Sequence, residues 1–264
     1  MPYGGSTDLN VFKEAIENAL EVKGSYYRIF NSLPENSVII IDDLELWWEK
    51  SQQGMNVINQ LIDLIDRYGH RCLFIVNINR YCLDVLKKTN DISNYFLNVI
   101  NLEPVNSEDL QKVVLLRHDS SVLNIRLGRR VSETMRSWDY ARVFAKHFSY
   151  SKGNVGVALQ AWLAGIIEVD GNKIYIQSPR TPDLFIFDYL KPEWYILVVQ
   201  LILHKRSNLR KLSRICQTNI GDTKNNVEIL KRSGIISESN PGVYEINSFI
   251  YPHILAKLLE KEMV

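Results

Sequence analysis

The sequence predicts an α/β fold, in which a parallel sheet is followed by a helical region and by a C-terminal segment of three helices and a β-hairpin. Two apolar runs, Ser37–Ile41 and residues 71–77, have the length and composition of strands that are buried in a parallel sheet. A helical pattern lies between them, as in a βαβ unit. Near the C-terminus, Asn240-Pro241-Gly242 separates two short apolar runs and indicates a hairpin turn.

Length and composition are those of a soluble globular protein. The 264 residues are 46% hydrophobic and 23% charged, and the net charge of +1 excludes a chain that binds polyanions over its whole surface. The three cysteines have no metal-ligand spacing, so we expect buried thiols in a reducing compartment, the cytoplasm. The longest apolar run, residues 194–203, is too short to span a bilayer, and we expect no signal peptide.

The first predicted helix starts at Thr7 or Asp8, either of which suits the N-cap, and runs to about Val22. The following Lys23-Gly24-Ser25 is not a phosphate-binding loop, because such a loop ends in Gly-Lys-Ser/Thr and follows a strand. The sequence before Ser37 therefore contains neither the strand nor the loop of a phosphate site.

Two carboxylates, Asp42 and Asp43, follow the first strand. In open α/β sheets ligands bind at the carboxyl ends of the strands. One acid can hold Mg²⁺ there, and a second residue can orient a water molecule. An apolar strand that ends in Asp-Asp resembles the Walker B element of P-loop ATPases. The alternative is that an acid at this position caps the next helix.

A polar tip, Ile78-Asn79-Arg80, follows the second strand, and a third helix is predicted over residues 81–88. A third strand is predicted over residues 96–102. The order of strand, Asn and Arg resembles sensor 1 of AAA+ ATPases, whose polar side chain reads the γ-phosphate or the catalytic water, and it favours Asn79 over Asn77. The alternative is that Asn79 caps the third helix.

The middle of the chain is predicted to be mostly helical. A helix capped by Ser107 is followed by a polar, basic connection over residues 119–136 and by helices over residues 138–148 and 155–166. A hairpin is predicted around Asp170-Gly171-Asn172. A helical bundle directly after a parallel sheet resembles the lid of AAA+ proteins.

The last third of the chain resembles a winged helix, because three predicted helices precede a hairpin. The run Leu230-Lys231-Arg232-Ser233-Gly234-Ile235-Ile236 resembles the junction between the last helix and the wing in that family. Between residues 204 and 232, eight Lys and Arg residues stand against two acids, which gives this stretch a net charge of +6. The basic stretch suits phosphate contacts, a solvated face or an acidic protein partner.

The alternatives of DNA and protein contact predict different surroundings for the same basic residues. If the stretch binds DNA, the third helix approaches bases and the preceding helix contacts phosphates. The residues expected at bases are Lys224 and Asn225, and those expected at phosphates are Arg210, Lys211 and Arg214. If it contacts protein, we expect the basic residues to be dispersed or to pair with acids near the sheet, such as Glu45 and Glu49.

The sheet, the lid and the winged helix come in the order found in AAA+ and STAND-type ATPases, and the resemblance covers about residues 7–264. The predicted fold class is therefore an α/β partial P-loop ATPase parallel sheet, followed by an α-helical lid and a C-terminal winged-helix domain. The predicted domains are residues 1–103, 104–182 and 183–264, in that order.

The resemblance implies an ATP site with Mg²⁺, in which Asp42 holds the metal ion, Asp43 orients the attacking water and Asn79 senses the γ-phosphate. The chain departs from the family in its missing Walker A strand and loop and in having Asp where the second acid is usually Glu. Residues 89–101 contain no arginine finger, and Gly156 stands where the sensor-2 arginine is often found. We therefore expect that this chain alone neither binds nor hydrolyses ATP appreciably.

Two hypotheses about function follow. The first is the C-terminal part of a longer, ATP-dependent AAA+/STAND-like switch or remodelling ATPase, with the Walker A portion upstream of Met1. The second is a non-enzymatic winged-helix module that binds DNA or protein, whose sheet has lost nucleotide binding and serves as a scaffold. Self-association is compatible with both.

Overall fold

The computed structural model describes residues 3–51, 53–90, 92–121, 123–127, 130–131 and 137–264. The chain divides into two compact units. Unit 1 comprises Met1–Asn101, Leu190–Asn247 and Met263–Val264, and unit 2 comprises Leu102–Tyr189 and Ser248–Glu262. The predicted parallel sheet and the basic stretch of the C-terminal third therefore belong to the same unit.

This division differs from the three predicted domains. The C-terminal third is not a unit of its own, because residues 190–247 are grouped with the first hundred residues and residues 248–262 with the middle of the chain. The predicted boundaries after residues 103 and 182 lie near the changes of unit, but sequence order did not indicate the grouping. It depends on contacts between residues that are far apart in the chain.

The first part of unit 1 places helices around a small sheet. Its elements are α1 (Leu9–Leu20), α2 (Tyr26–Ser32), β1 (Ser37–Ile41), a 3₁₀ helix (Leu44–Trp47), α3 (Asn56–Tyr68), β2 (Cys72–Val76), α4 (Arg80–Asn90) and a second 3₁₀ helix (Ile92–Tyr95). Asp8 caps α1, because its carboxylate accepts a hydrogen bond from the Asn10 N–H. The apolar stripe of α3 is buried, so the predicted helical pattern is confirmed there.

Strands β1 and β2 are parallel, with Ser37 opposite Cys72 and Ile41 opposite Val76, which confirms the predicted α/β fold with a parallel sheet. Successive side chains point to opposite faces of a strand. The inner face packs on the core of unit 1 through Ile39, Ile41, Phe74 and Val76. The other face, which we call the outer face, presents four aliphatic side chains that are 47–64% exposed: Val38, Ile40, Leu73 and Ile75.

The strand predicted over residues 96–102 is wrong, since the structure has no regular element there. A strand needs a neighbour to satisfy its backbone N–H and C=O groups. Among the residues that the structure describes, the parallel sheet consists of β1 and β2 alone. Phe96 packs against the core of unit 1, but Leu97, Ile100 and Leu102 are highly exposed, so most of the apolar side chains that suggested a strand are not used for packing.

In its described residues, unit 2 combines four helices of ten or more residues with a four-stranded sheet. Its first elements are α5 (Ser107–Asp119), β3 (Asn124–Leu127), β4 (Arg130–Val131), α6 (Ser137–Ser151), α7 (Val155–Ala164), β5 (Ile166–Asp170), β6 (Lys173–Ile176) and α8 (Phe185–Asp188). The strand order is β4-β3-β6-β5, and β5 and β6 form the hairpin predicted around Gly171. Asn106, one residue before the predicted Ser107, caps α5. Of the predicted connection over 119–136, residues 122, 128, 129 and 132–136 lie outside the described residues.

The core of unit 2 lies between its helices and its sheet. Leu110 and Val114 of α5 pack with Phe144 of α6 and with Trp162 of α7. The rings of Phe144 and Trp162 are stacked, with centroids 5.6 Å apart. His147 of α6 is fully buried beside Trp162, and its ring nitrogens have no hydrogen-bond partner among the described residues.

The C-terminal part of unit 1 contains three helices and three strands. They are α9 (Pro192–His204), β7 (Arg206–Asn208), α10 (Leu209–Ile215), α11 (Ile220–Arg232), β8 (Ile236–Asn240) and β9 (Val243–Ile246). The strands form an antiparallel sheet in the order β7-β9-β8, of which the sequence predicted β8 and β9 but not the three-residue β7. The last helix, α12 (Tyr251–Glu260), belongs to unit 2. Within the described part of the chain, no helix is long and apolar enough to cross a membrane.

Candidate functional site

The carboxyl ends of β1 and β2 lie side by side, as predicted. The Asn77 N–H donates to the Ile41 carbonyl at 2.8 Å, which extends the parallel pairing to the residues just after each strand. Asp42 and Asn77 are both exposed, and the Asn77 side-chain amide lies 3.5 Å from the Asp42 carboxylate. The acid predicted to hold Mg²⁺ therefore has Asn77, rather than Asn79, beside its carboxylate.

Asn79 has its side chain committed elsewhere in unit 1. Its carbonyl Oδ1 accepts from the Tyr81 N–H at 2.9 Å, which is the capping role that sequence reasoning left open for α4. Its Nδ2 donates to the carbonyl oxygen of Ile202 at 2.8 Å. Its backbone N–H donates to Glu45 at 3.0 Å. The Asn79 side chain thus joins the tip of β2 to α9, and its role as a nucleotide sensor stays a prediction.

Asp43 is held in the left-handed region of the backbone, with φ of 52°, and its carboxylate lies against basic residues of the C-terminal part. Lys205 Nζ is 2.5 Å from one carboxylate oxygen, and Arg206 Nη2 is 3.3 Å from the other. Lys205 is about half exposed and Arg206 mostly buried, so the second contact is less screened by water. The acid predicted to orient a water molecule is therefore paired with two cations of its own chain.

Glu45 is a buried acid that sequence reasoning named only as a partner for basic residues. It is 3% exposed and accepts the hydrogen bond from the Asn79 N–H. Burial raises the pKa of the Glu45 carboxyl above its ordinary value, because the hydrogen bonds that it accepts compensate the loss of water only in part. No sequence signal separates this buried glutamate from an exposed acid such as Asp42.

The basic helix α10 contacts the loop after β1, residues 42–49, which we call the acid loop. Arg214 donates two hydrogen bonds to the carboxylate of Glu49, at 2.9 and 2.6 Å. Glu49 is buried, which by itself raises its pKa, but the hydrogen bonds from Arg214 and Ser51 outweigh this effect and leave the pKa below its ordinary value. This pairing is the one expected for a protein-contact surface.

Lys211 is buried in the same region and is 3% exposed. Its ammonium group donates to the Leu46 carbonyl at 3.2 Å. Loss of water lowers the pKa of Lys211 to about 8, although the charge of Glu49 acts in the opposite direction. His204, at the end of α9, stacks on Trp48 with ring centroids 5.0 Å apart, and burial lowers its pKa to about 3.

The residues predicted to contact nucleic acid fall into two groups. Lys211 is buried and Arg214 is bound to Glu49, so both have partners within the protein. Arg210, Lys224 and Asn225 are exposed. The structure therefore brings together the acid loop and residues 205–214, which we call the basic segment, and leaves the start of α11 at the surface.

The AAA+ resemblance implies ATP and Mg²⁺, and the residues present can be compared with what those groups require. Among the described residues, no group of three or more His, Cys, Asp or Glu side chains is placed to hold a metal ion. Asp43 is neutralised by Lys205 and Arg206, and the sequence contains no Gly-Lys-Ser/Thr loop for phosphates. The described residues therefore do not by themselves form a site for ATP with Mg²⁺.

A hollow on the described surface lies away from these acids. Its volume is about 570 Å³, and Tyr27, Arg67 and His70 are among the residues that line it. His70 lies two residues before β2 begins, so the hollow is at the amino end of the strands. The carboxyl ends, where Asp42 and Asn77 lie, are at the other edge of the sheet.

Comparisons with known proteins give a coarse likeness. No protein-family model and no curated protein matches the sequence. The chain is similar to a RuvB mutant from Thermotoga maritima, with 14% identity and a TM-score of 0.38 over 96% of this chain and 85% of that one. It is also similar to Cdc6p from Pyrobaculum aerophilum, with 11% identity and a TM-score of 0.33 over 97% and 77%. The TM-scores are low, so no residue role is taken from either structure.

Proposed function

We propose that this chain is the switch portion of an AAA+/STAND-like protein and that the structure represents its closed state. The observation that carries the proposal is the pairing of Asp43 with Lys205 and Arg206. An acid at the carboxyl end of a parallel strand is suited to the chemistry of a bound nucleotide. Here that acid holds the basic segment instead. The basic segment must leave before Asp43 can act on anything else.

The order of elements in the C-terminal part supports a winged helix as the module that closes the switch. A helix, a strand, two helices and a hairpin follow one another from α9 to β9, and β7 completes a three-stranded sheet. Its basic residues pair with the acid loop at two points, Asp43 and Glu49. These contacts support the protein-contact interpretation more than phosphate contacts by the same side chains.

ATP hydrolysis, in this proposal, belongs to an assembly in which another stretch of polypeptide supplies the phosphate-binding loop. Asp42 is the residue of this chain best suited to a magnesium ion there, because its carboxylate is exposed and makes no ion pair among the described residues. Calorimetric titration of this chain with ATP and Mg²⁺ should give no appreciable binding. Micromolar affinity would show that the chain contains a phosphate site that its sequence conceals.

The closed state is tested by removing the charge of Asp43. In Asp43→Asn, we expect the amides of residues 205–211 to exchange with deuterium about tenfold faster, because the ion pairs no longer hold the basic segment. The matched control is Asp42→Asn, since Asp42 is exposed and not ion-paired in the described structure. If Asp43→Asn exchanges no faster than this control, the ion pairs do not hold the segment and the proposed switch is wrong.

A second candidate function, DNA binding through α11, is favoured only by the exposure of Lys224 and Asn225 near its start. DNA titration at two salt concentrations tests it, because each lost phosphate contact lowers the log–log salt slope by about one unit. For a DNA-binding surface we expect Lys224→Ala to weaken binding and Arg214→Ala to change the salt slope little, since Arg214 is bound to Glu49. Absence of binding at low salt would exclude this candidate.

A further inference from the structure

Residues 3–6 lie across the basic segment and the acid loop, and we call them the strap. The Ser6 N–H donates to the Leu46 carbonyl at 3.0 Å. The Arg206 Nε donates to the Tyr3 carbonyl at 2.7 Å. The same guanidinium lies 4.5 Å from the centre of the Tyr3 ring, a cation–π distance. The strap thus contacts one residue of the acid loop and one of the basic segment, and both contacts belong to unit 1.

Arg206 is held from two directions. Its Nη2 faces Asp43 at 3.3 Å, while its Nε and the face of its guanidinium meet Tyr3. The side chain is only 14% exposed, so water replaces these partners poorly if either is removed. Loss of the Tyr3 contacts is therefore expected to weaken the ion pair with Asp43, because the guanidinium is positioned by both partners together.

At Gly5 the strap lies close to both the acid loop and the basic segment. Its φ of +80° is a conformation that residues with a side chain rarely adopt. A Cβ atom added there would lie 2.5 Å from the Leu46 carbonyl oxygen and 2.9 Å from the Lys211 ammonium nitrogen. The strap can lie this close because residue 5 is glycine. The Leu46 carbonyl accepts hydrogen bonds from both the Ser6 N–H and the Lys211 ammonium group. A displacement of Leu46 therefore disturbs both contacts.

We infer that the strap is a lock on the basic segment, so that displacement of residues 3–6 frees Arg206 and Lys211 together. Asp43 is then left with Lys205 alone, which makes its release easier. The inference rests on the proposed function in one respect, namely that release of Asp43 is what the switch does. The lock itself rests on the contacts of the strap. In this inference, the strap controls access to the carboxyl edge of the sheet, although it precedes β1 by more than thirty residues.

The test compares two strap variants with two matched controls. Gly5→Ala introduces a Cβ that meets Leu46, and Tyr3→Ala removes the ring under Arg206 without changing the local backbone requirement. Gly171→Ala is the control for the positive φ, since Gly171 has φ of +58° and open space around its Cβ position. Tyr27→Ala is the control for loss of an exposed tyrosine ring, since Tyr27 is 74% exposed.

Deuterium exchange of the amides of residues 205–211 is the measurement. We expect exchange about tenfold faster in Gly5→Ala and several-fold faster in Tyr3→Ala, with the two controls unchanged. Exchange in α3 serves as the reference for intact folding of unit 1. If Gly5→Ala does not fold, Tyr3→Ala decides alone. Wild-type exchange in a folded strap variant would overturn the lock.

The same measurement on Asp43→Asn separates the lock from the proposed function. Faster exchange in Asp43→Asn with wild-type exchange in the strap variants leaves the switch standing and removes the lock. Faster exchange in the strap variants with wild-type exchange in Asp43→Asn leaves the lock and removes the role of Asp43. Faster exchange in both supports both.

Discussion

Arg214 and Glu49, 165 residues apart in the sequence, form a two-point ion pair in which both guanidinium contacts are within 2.9 Å. The two partners differ sharply in exposure, because the Glu49 side chain is 3% exposed and the Arg214 side chain 56% exposed. Removal of Glu49 and removal of Arg214 therefore have different consequences for the residue that remains. An arginine that loses Glu49 is hydrated. A Glu49 carboxylate without Arg214 stays buried, and Ser51 is then its only side-chain donor among the described residues.

Arg214→Met should therefore be strongly destabilising, by about 2 kcal/mol after allowance for the water that reaches the arginine. The double variant Glu49→Gln/Arg214→Met should be destabilised less, because no unpaired carboxylate is left buried at position 49. Urea unfolding measures both, and Arg210→Met is the control for an exposed arginine of the same helix. Equal losses in Arg214→Met and Arg210→Met would contradict the prediction.

Lys211 should give the chain a pH dependence in the alkaline range. Its pKa is about 8 in the folded state and 10.5 in the unfolded chain, so the unfolded state binds more protons between these values and folding becomes more favourable as the pH rises. Within this window, each pH unit raises the free energy of unfolding by at most about 1.4 kcal/mol. The free energy of unfolding of the wild type minus that of Lys211→Met should rise from pH 8 to pH 9.5. Parallel pH curves for the two proteins would show that Lys211 is not desolvated.

Asn79 and Asn77 should differ in their effect on stability. Asn79→Ala removes the cap of α4 and the hydrogen bond to the Ile202 carbonyl, and each is worth about 1 kcal/mol. Asn77→Ala removes only a long contact of 3.5 Å at the surface and should cost less than about 0.5 kcal/mol. Chemical unfolding of the two variants measures the difference. A larger loss in Asn77→Ala would mean that the tip of β2 is held by Asp42 rather than by α9.

His147 should make unit 2 sensitive to acid. Burial lowers its pKa to about 4, below the ordinary value of 6.5, so the unfolded state binds more protons between these values and stability falls as the pH drops below 6.5. As the pH falls from 7 to 5, the free energy of unfolding of His147→Phe should rise by about 2 kcal/mol relative to that of the wild type. Thermal unfolding at the two pH values tests this, and an equal drop in melting temperature for both proteins would argue against it.

Local sequence patterns predicted most of the secondary structure for identifiable reasons. β-Branched runs around Ile39 and Phe74 form the parallel strands, and the alternation of strands and helices predicts their direction. Residues 96–102 have a similar composition but no strand beside them, and composition cannot report whether a partner edge exists. The three-residue β7 is too short to show a period, and it forms because β9 offers an edge for pairing.

The candidate site was predicted in its position but not in its contacts. Because Asp42 directly follows a strand of a parallel sheet, the sequence predicts that it lies at the carboxyl edge, and it does. The partners of Asp43 and Glu49 come from residues more than 160 positions away, and no local pattern indicates which lysine or arginine reaches which acid. Asn79 followed the sequence pattern of a sensor, yet the need for a cap on α4 and for a donor to Ile202 determines where its side chain lies.

The outer face of the sheet sets a limit on the colloidal stability of the chain. None of its exposed side chains carries a charge: Val38, Ile40, Leu73 and Ile75. Two molecules can therefore bring these faces together without burying a charged group. Such association strengthens with protein concentration and with sulfate or phosphate salts, conditions typical of crystallisation and of concentrated stocks. A lysine at one of these positions, as in Ile40→Lys, would act as a gatekeeper that keeps concentrated solutions clear, with the inner face and the core of unit 1 left as they are.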